Sequence, residues 1–176
     1  MDKRQVDVAI IGAGTAGMVA YQRVRKVTDK VVLIESDQYG TTCARVGCMP
    51  SKLLIAAAEN AHQARMGELF GVFARDVAID GARVMERVRS ERDRFVDGVI
   101  RSVEKFPRQH RLMGHARFEG PQLLRVGDDI EVAADRVIIA TGSRPNVPGF
   151  LKEAKDRLVV NDDIFEWQDL PGSVAV

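Results

Sequence analysis

Cysteine is scarce in this chain, with two in 176 residues, and those two lie close together in "GTTCARVGCMPSK", Gly40 to Lys52. A zinc site or a Cys-x-x-Cys oxidoreductase motif would space them differently. Charge of one sign is also missing: 26 basic side chains stand against 25 acidic ones, a net charge of +1. Such a balance selects neither for nucleic acid nor for an anionic membrane surface. No apolar run approaches a membrane span, and the N-terminal "MDKRQVDVAIIGAG" has neither the apolar core nor the small-residue cleavage site of a secretory leader. The expectation is therefore a cytoplasmic protein without membrane or nucleic-acid partners. In a reducing compartment two cysteines that do oxidise serve catalysis or sensing more often than structure. Internal repeats and low-complexity segments are lacking too, and the length suits about one domain with a real core.

What is present begins with a strong directional pattern. A buried-strand run, "VDVAIIG", turns through "GAGTAG" into an apolar-periodic helix ending near Val27, and "KVVLIE" then gives a second buried strand closing on Glu35. This is a βαβ unit with the dinucleotide fingerprint. Gly12 permits the tight turn, Gly14 lets the backbone approach a pyrophosphate, and Gly17 lets helix and strand pack closely. The helix N-terminus offers free N–H groups and positive dipole to phosphate, so Gly12, Ala13, Gly14, Thr15, Ala16 and Gly17 form the candidate loop. Glu35, followed by Ser36, stands where an acidic side chain accepts hydrogen bonds from an adenosine ribose. The fingerprint alone does not separate NAD from FAD.

Downstream of the cysteines, "PSKLLIAAAENAHQARM" reads as a helix with Pro50 in its first turn, and a second long helix is predicted over Gly81 to Lys105 with a solvated charged face. Beyond Pro107 the pattern changes to short strands, "RLMGHARF", "QLLRV", "IEVA" and "DRVIIATGS", separated by turns. They fit an antiparallel meander whose last strand rejoins the main sheet. His62 falls on a predicted helix, His110 in a loop and His115 near a strand; all three read as structural or solvent-exposed.

On an ideal helix, residues five apart have Cα atoms roughly 8 to 9 Å from one another, beyond the roughly 7 Å limit for a disulfide. Cys43 and Cys48 therefore bond only if the backbone leaves the helix. Gly47 makes that departure cheap, and Pro50 suggests that regular helix begins only after Cys48. Cys48 would then sit just before a helix N-terminus that favours a thiolate, with Lys52 one turn further on the same face. On spacing alone, two unrelated buried thiols remain the alternative.

Taken together, the GxGxxG, the acidic end of the second strand, "GTTCARVGCMPSK" and "ATGSRP" (Ala140 to Pro145) resemble the FAD-dependent pyridine nucleotide-disulfide oxidoreductases, along essentially the whole chain. The dihydrolipoamide dehydrogenases are the branch most nearly resembled. The resemblance implies an α/β, doubly wound, Rossmann-like FAD-binding fold with a helical excursion and an antiparallel β-meander insertion. It implies FAD as cofactor, with NAD bound by a further domain. Cys48 would be the flavin-proximal thiol that forms the charge-transfer thiolate, and Cys43 the thiol that exchanges with substrate. Lys52 would lie beside the flavin. Glu35 would take the ribose, Ala116 would make a backbone contact near adenine, and Thr41, Thr42, Thr141, Gly142 and Ser143 would line the cofactor. No metal is implied.

The implied reaction moves electrons between NAD(H) and a dithiol or disulfide, a lipoyl group first among the candidates, in a protein that is a homodimer at full length. Thr41, Ala44, Arg45 and Tyr21 depart from the family pattern. They keep the mercuric and glutathione reductases open, as well as a non-catalytic redox-sensing nucleotide module. The domain expectation is an FAD-binding segment over 1–150 and, over 151–176, a linker and the first strand of an NAD(P)-binding domain. On that expectation "LPGSVAV" opens a new buried strand, and the 176 residues alone neither turn over substrate nor hold FAD tightly.

Overall fold

A computed structural model describes residues 2–176. They divide into two compact units: the chain up to Thr42 together with Val96–Arg144, and Cys43–Phe95 together with Pro145–Val176.

The first unit is a six-stranded sheet. Its strands are β1 (Asp2–Ile11), β2 (Val31–Glu35), β3 (Arg111–Met113), β4 (Ala116–Gly120), β5 (Leu123–Val126) and β6 (Ile130–Ile139), arranged β3-β2-β1-β6-β5-β4. The β3-β2, β2-β1 and β1-β6 pairs are parallel, and β6-β5 and β5-β4 are antiparallel. Helix α1 (Thr15–Val24) connects β1 to β2.

Strand β2 shows why the sheet must be covered on both faces. Val31, Val32, Leu33 and Ile34 are all buried in succession, the mark of a parallel strand with no face left to water. Val31 and Leu33 enter a cluster with Val8, Ile10, Ala13, Tyr21 of α1 and Val103. Val32 and Ile34 enter another with Val6, Ala9, Leu112, Leu124, Val126 and Val132. The first is closed by helix and the second by strands of the meander. The doubly wound fold with a meander insertion is as expected from the sequence.

The second unit is helical: α2 (Thr42–Val46, from Cys43 onward), α3 (Cys48–Met66), the first part of α4 (Gly81–Glu104), 3-10 turns over Gly67–Phe70 and Gly149–Arg157, and α5 (Asn161–Ile164). Its large buried apolar side chains are few: Met85, Val88 and Phe165. Polar ties do much of the remaining work. Arg92, itself buried, pairs with Asp93 at 2.9 Å and with Glu166, and donates to the carbonyl of Phe165 at 3.3 Å. Burial disfavours its charge, but the Asp93 and Glu166 carboxylates outweigh that and hold its pKa up. Arg89 donates to the carbonyl of Trp167. Leu69, Phe70, Val72 and Phe73 stand exposed.

Three expectations need correction. "RLMGHARF" is not one strand: Gly114, at φ +146°, breaks it into β3, which joins the parallel sheet, and β4, which opens the meander. "IEVA" and "DRVII" form one strand, because β6 pairs along β1 from Asp2 to Ile11 while its first half also pairs with β5. Helix α1 ends at Val24, with Arg25 to Thr28 closing it as a turn. Residues 171–176, at the end of "LPGSVAV", carry no regular structure and are exposed.

Candidate functional site

The carboxyl ends of the parallel strands β1, β2 and β6 bring three of the sequence-marked segments together. The chain leaves β1 at Gly12, whose N–H donates to the carbonyl of Ile34 at 2.8 Å, and Ala140, just past β6, donates to the carbonyl of Ile11 at 2.8 Å. Gly12 holds φ +103°, and a Cβ there would meet the carbonyl oxygen of Ala140 at 2.3 Å. At Gly17 a Cβ would meet the carbonyl oxygen of Gly12 at 1.8 Å. These two glycines are filled spaces. Gly14 differs: nothing lies within 4 Å of the place a Cβ would take.

Gly14 also precedes α1, and no side chain caps the helix there. Open room beside uncapped N–H groups at a helix N-terminus is the right chemistry for a pyrophosphate. The Glu35 carboxylate accepts from the N–H of Ala13 at 2.8 Å with one oxygen, and from Ser36 at 2.8 Å and Asp37 at 3.3 Å with the other. It thereby ties the end of β2 to the glycine loop and keeps lone pairs for a ribose. Thr141, Gly142 and Ser143 follow β6 as an exposed segment, with Gly142 at φ +72°. Ala116 opens β4 opposite Val126. Thr41 is buried and Thr42 exposed.

The thiols belong to the second unit. Cys43 lies in α2 and is half-buried, Cys48 is exposed, and both are free. Between them the helix is interrupted at Gly47, whose φ −133°, ψ −119° is not helical. Cys43 and Cys48 stand on either side of this interruption. The neighbouring Cys48 thiol, as a hydrogen-bond partner, and then burial push the Cys43 thiol above its ordinary value, while the charge of Lys52 opposes them. Cys48 is the first residue of α3 rather than the residue before it, because Gly47 serves as the flanking position. Cys48 is exposed, so the two are not a pair of buried thiols.

The carbonyls at the break are held from two sides. Gly47 accepts from the N–H of Ser51 at 3.1 Å and from its hydroxyl at 2.7 Å. Val46 accepts from the side-chain amide of Asn161 at 3.2 Å. Asn161 was read only as linker.

A family model described as "pyridine nucleotide-disulphide oxidoreductase" matches residues 6–176. The chain belongs to this family. Among curated relatives of the same family, the dihydrolipoyl dehydrogenase of Halobacterium salinarum is 36% identical over 97% of the chain, and that of Bacillus subtilis 30% over 98%. The chain spans 37% and 39% of their respective lengths. Among solved structures of flavoprotein disulfide reductases, the HOCl-induced enzyme RclA from Escherichia coli superposes with TM-score 0.63 at 26% identity, over 81% of this chain and 29% of that one. Its Cu(II) complex gives TM-score 0.71 at 24% identity, covering 94% of this chain and 34% of the other, a likeness of fold. The family is one of flavin-dependent disulfide oxidoreductases.

The remaining sequence-marked residues are now placed. His62 is exposed on α3, and His115 is exposed between β3 and β4. His110 is buried in a 3-10 turn rather than lying in an open loop, and its Nδ1 is 2.8 Å from the hydroxyl of Tyr21, which stacks on Phe106 with ring centroids 4.2 Å apart. The bulky Tyr21 is thus a core residue with its polar end satisfied. Among the described residues no cluster of His, Cys, Asp or Glu could hold a metal ion, and no helix is long and apolar enough to cross a membrane.

Proposed function

We propose that these residues form the FAD-binding segment and redox-active dithiol of an enzyme that oxidises dihydrolipoamide with NAD. The observation that carries the reading is the pair of thiols on either side of an interrupted helix, with Cys48 and Lys52 both acting on Cys43. The identities to dihydrolipoyl dehydrogenases support the lipoyl group over glutathione or mercuric substrates. The activity is proposed for the whole protein, as a homodimer.

In this reading Gly14, Thr15, Ala16 and Gly17 would hold the pyrophosphate by backbone N–H groups, and Glu35 would accept from the ribose hydroxyls. Ala116, Ser36, Thr41, Thr42, Lys52 and Thr141–Ser143 would complete the contacts to the cofactor. Starting from the Cys43–Cys48 disulfide, one substrate thiolate attacks Sγ of Cys43. The S–S bond breaks and Cys48 leaves as the thiolate. The second substrate thiolate then attacks the substrate's own mixed-disulfide sulfur, releasing Cys43 and closing the lipoyl ring. Two electrons now rest on the cysteine pair, where Lys52 favours negative charge. Bound FAD would supply the two-electron carrier between that pair and nicotinamide.

The test is turnover of dihydrolipoamide with NAD by the full-length protein, with the visible spectrum recorded alongside. Flavin bands are expected, together with turnover abolished by Cys43→Ser or Cys48→Ser while flavin stays bound. Tight NAD binding without flavin, or undiminished turnover in a double serine variant, would sink the reading.

A further inference from the structure

The carbonyl of Val46 sits at an awkward place in the chain. In a continuous helix a carbonyl accepts from the N–H four residues on. Four residues beyond Val46 is Pro50, which has no N–H. The same proline that lets α3 start at Cys48 therefore leaves the last carbonyl of α2 without its helical donor. The neighbouring carbonyl, of Gly47, does not share the problem, because Ser51 supplies both an N–H and a hydroxyl.

The donor for Val46 comes from far along the sequence: Nδ2 of Asn161, at 3.2 Å. Asn161 is not free to wander. Its amide also donates to Asp162 at 2.8 Å, and it opens α5. The segment that follows is anchored by the buried ring of Phe165 and gripped by Arg92 and Arg89 at Phe165, Glu166 and Trp167. Within this unit, the peptide that separates Cys43 from Cys48 is tied through one side-chain amide to a docked segment more than a hundred residues later.

We propose that Asn161 is a positioning residue for the redox pair: by supplying the donor that Pro50 lacks, it fixes the Val46–Gly47 peptide that links Cys43 to Cys48. The proposal rests on the redox reading of Cys43 and Cys48. Holding the sulfurs together raises their effective concentration toward one another. Loss of the tie disfavours the disulfide, and it lets Cys43 move away from the neighbouring thiol that raises its pKa.

The experiment equilibrates the full-length protein with reduced and oxidised dithiothreitol. As the Cys43–Cys48 bond forms, the S–S bond of oxidised dithiothreitol breaks, and the two thiol hydrogens with their electrons pass to its sulfurs. Acid-quenched samples are alkylated and the disulfide fraction is read by mass spectrometry. Asn161→Ala should lower the equilibrium constant for the disulfide about 2- to 10-fold, the range of one lost hydrogen bond. Asn161→Asp, which points an acceptor at a carbonyl, should lower it at least as far. Both should speed iodoacetamide alkylation of Cys43 in the reduced protein. Gln168→Ala, which removes a bond to Glu166 within the same segment, should leave both readings unchanged.

Asn161→Ala and Asn161→Asp values within twofold of wild type, with unaltered circular dichroism, would overturn the proposal. So would an equal shift in Gln168→Ala. A wild-type protein that forms no Cys43–Cys48 disulfide at any dithiothreitol ratio overturns the redox reading itself, and the proposal with it.

Discussion

The sheet unit and the helical unit solve the problem of presenting chemistry in opposite ways. The sheet unit has two apolar clusters, one against each face, and its proposed chemistry is carried by backbone N–H groups at the ends of buried strands. The helical unit buries few large apolar side chains and carries its chemistry on thiols at a helix break, secured by Arg92, Arg89, Ser51 and Asn161. Backbone groups at strand ends inherit the rigidity of the core and tolerate little change in volume. Side chains at a broken helix depend on a handful of polar contacts, each worth a small amount, and are correspondingly easier to retune.

The sharpest way to break this comparison is at the glycines. Gly17→Ala places a methyl group inside the van der Waals radius of a carbonyl that cannot step aside. It should cost about 3 kcal/mol or more, as a drop in the urea midpoint. Gly14→Ala meets no atom and should stay within about 1 kcal/mol of wild type while weakening flavin retention. Equal destabilisation by both would mean that the loop's openness at Gly14 is not what the structure shows.

A smaller effect is expected in the helical unit. Arg92→Ala removes the paired guanidinium beneath Phe165 and Glu166 and should cost about 1 to 3 kcal/mol. Limited proteolysis should show the loosening first within residues 161–170. Cleavage appearing instead in the sheet unit would contradict the assignment of Arg92 to this local clamp.

The thiol pair gives a third test, read as reactivity. The hydrogen bond with Cys48 is the largest influence raising the Cys43 pKa, ahead of burial. Cys48→Ala removes it, so the Cys43 thiolate should form at lower pH, and the iodoacetamide rate profile should move toward acid. A profile that stays in place would mean that burial, not the partner thiol, controls Cys43.

The smallest effect concerns His110. Burial, and then the charge of Arg25, push its pKa below the ordinary value. A depressed histidine is neutral in the folded state while the unfolded chain takes up a proton. Its contribution is therefore complete above the ordinary value near 6.5 and is lost as pH falls through the lowered folded value. Urea midpoints between about pH 7 and pH 5 should fall, and His110→Gln should flatten that slope. An unchanged slope would place the pH sensitivity elsewhere.

Much of the sheet unit was legible because its signals are local. The run from Val6 to Glu35 carries strand, glycine turn, helix and strand in consecutive order, although Gly12 is packed against the distant Ala140. The thiol pair was legible for the same reason: Gly47 and Pro50 announce a broken helix within the stretch that contains both cysteines. Where the sequence misled, the deciding partner was distant. "RLMGHARF" is split because Arg111 to Met113 pair with β2 while Ala116 onward pairs with β5, and "IEVA" fuses with "DRVII" because β1 runs alongside both.

The sequence by itself determined the fold class, the glycine loop, the acidic end of β2 and the helix break between the cysteines, since each is announced by a run of neighbouring residues. Only the tertiary structure decided that Tyr21 is a core residue bonded to His110, that Arg92 holds the chain at Phe165, and that Asn161 reaches back to Val46. The physical reason is the same in each case. A buried polar group or a carbonyl left without its helical donor must find a partner, and nothing in the local sequence says from which part of the chain it will come.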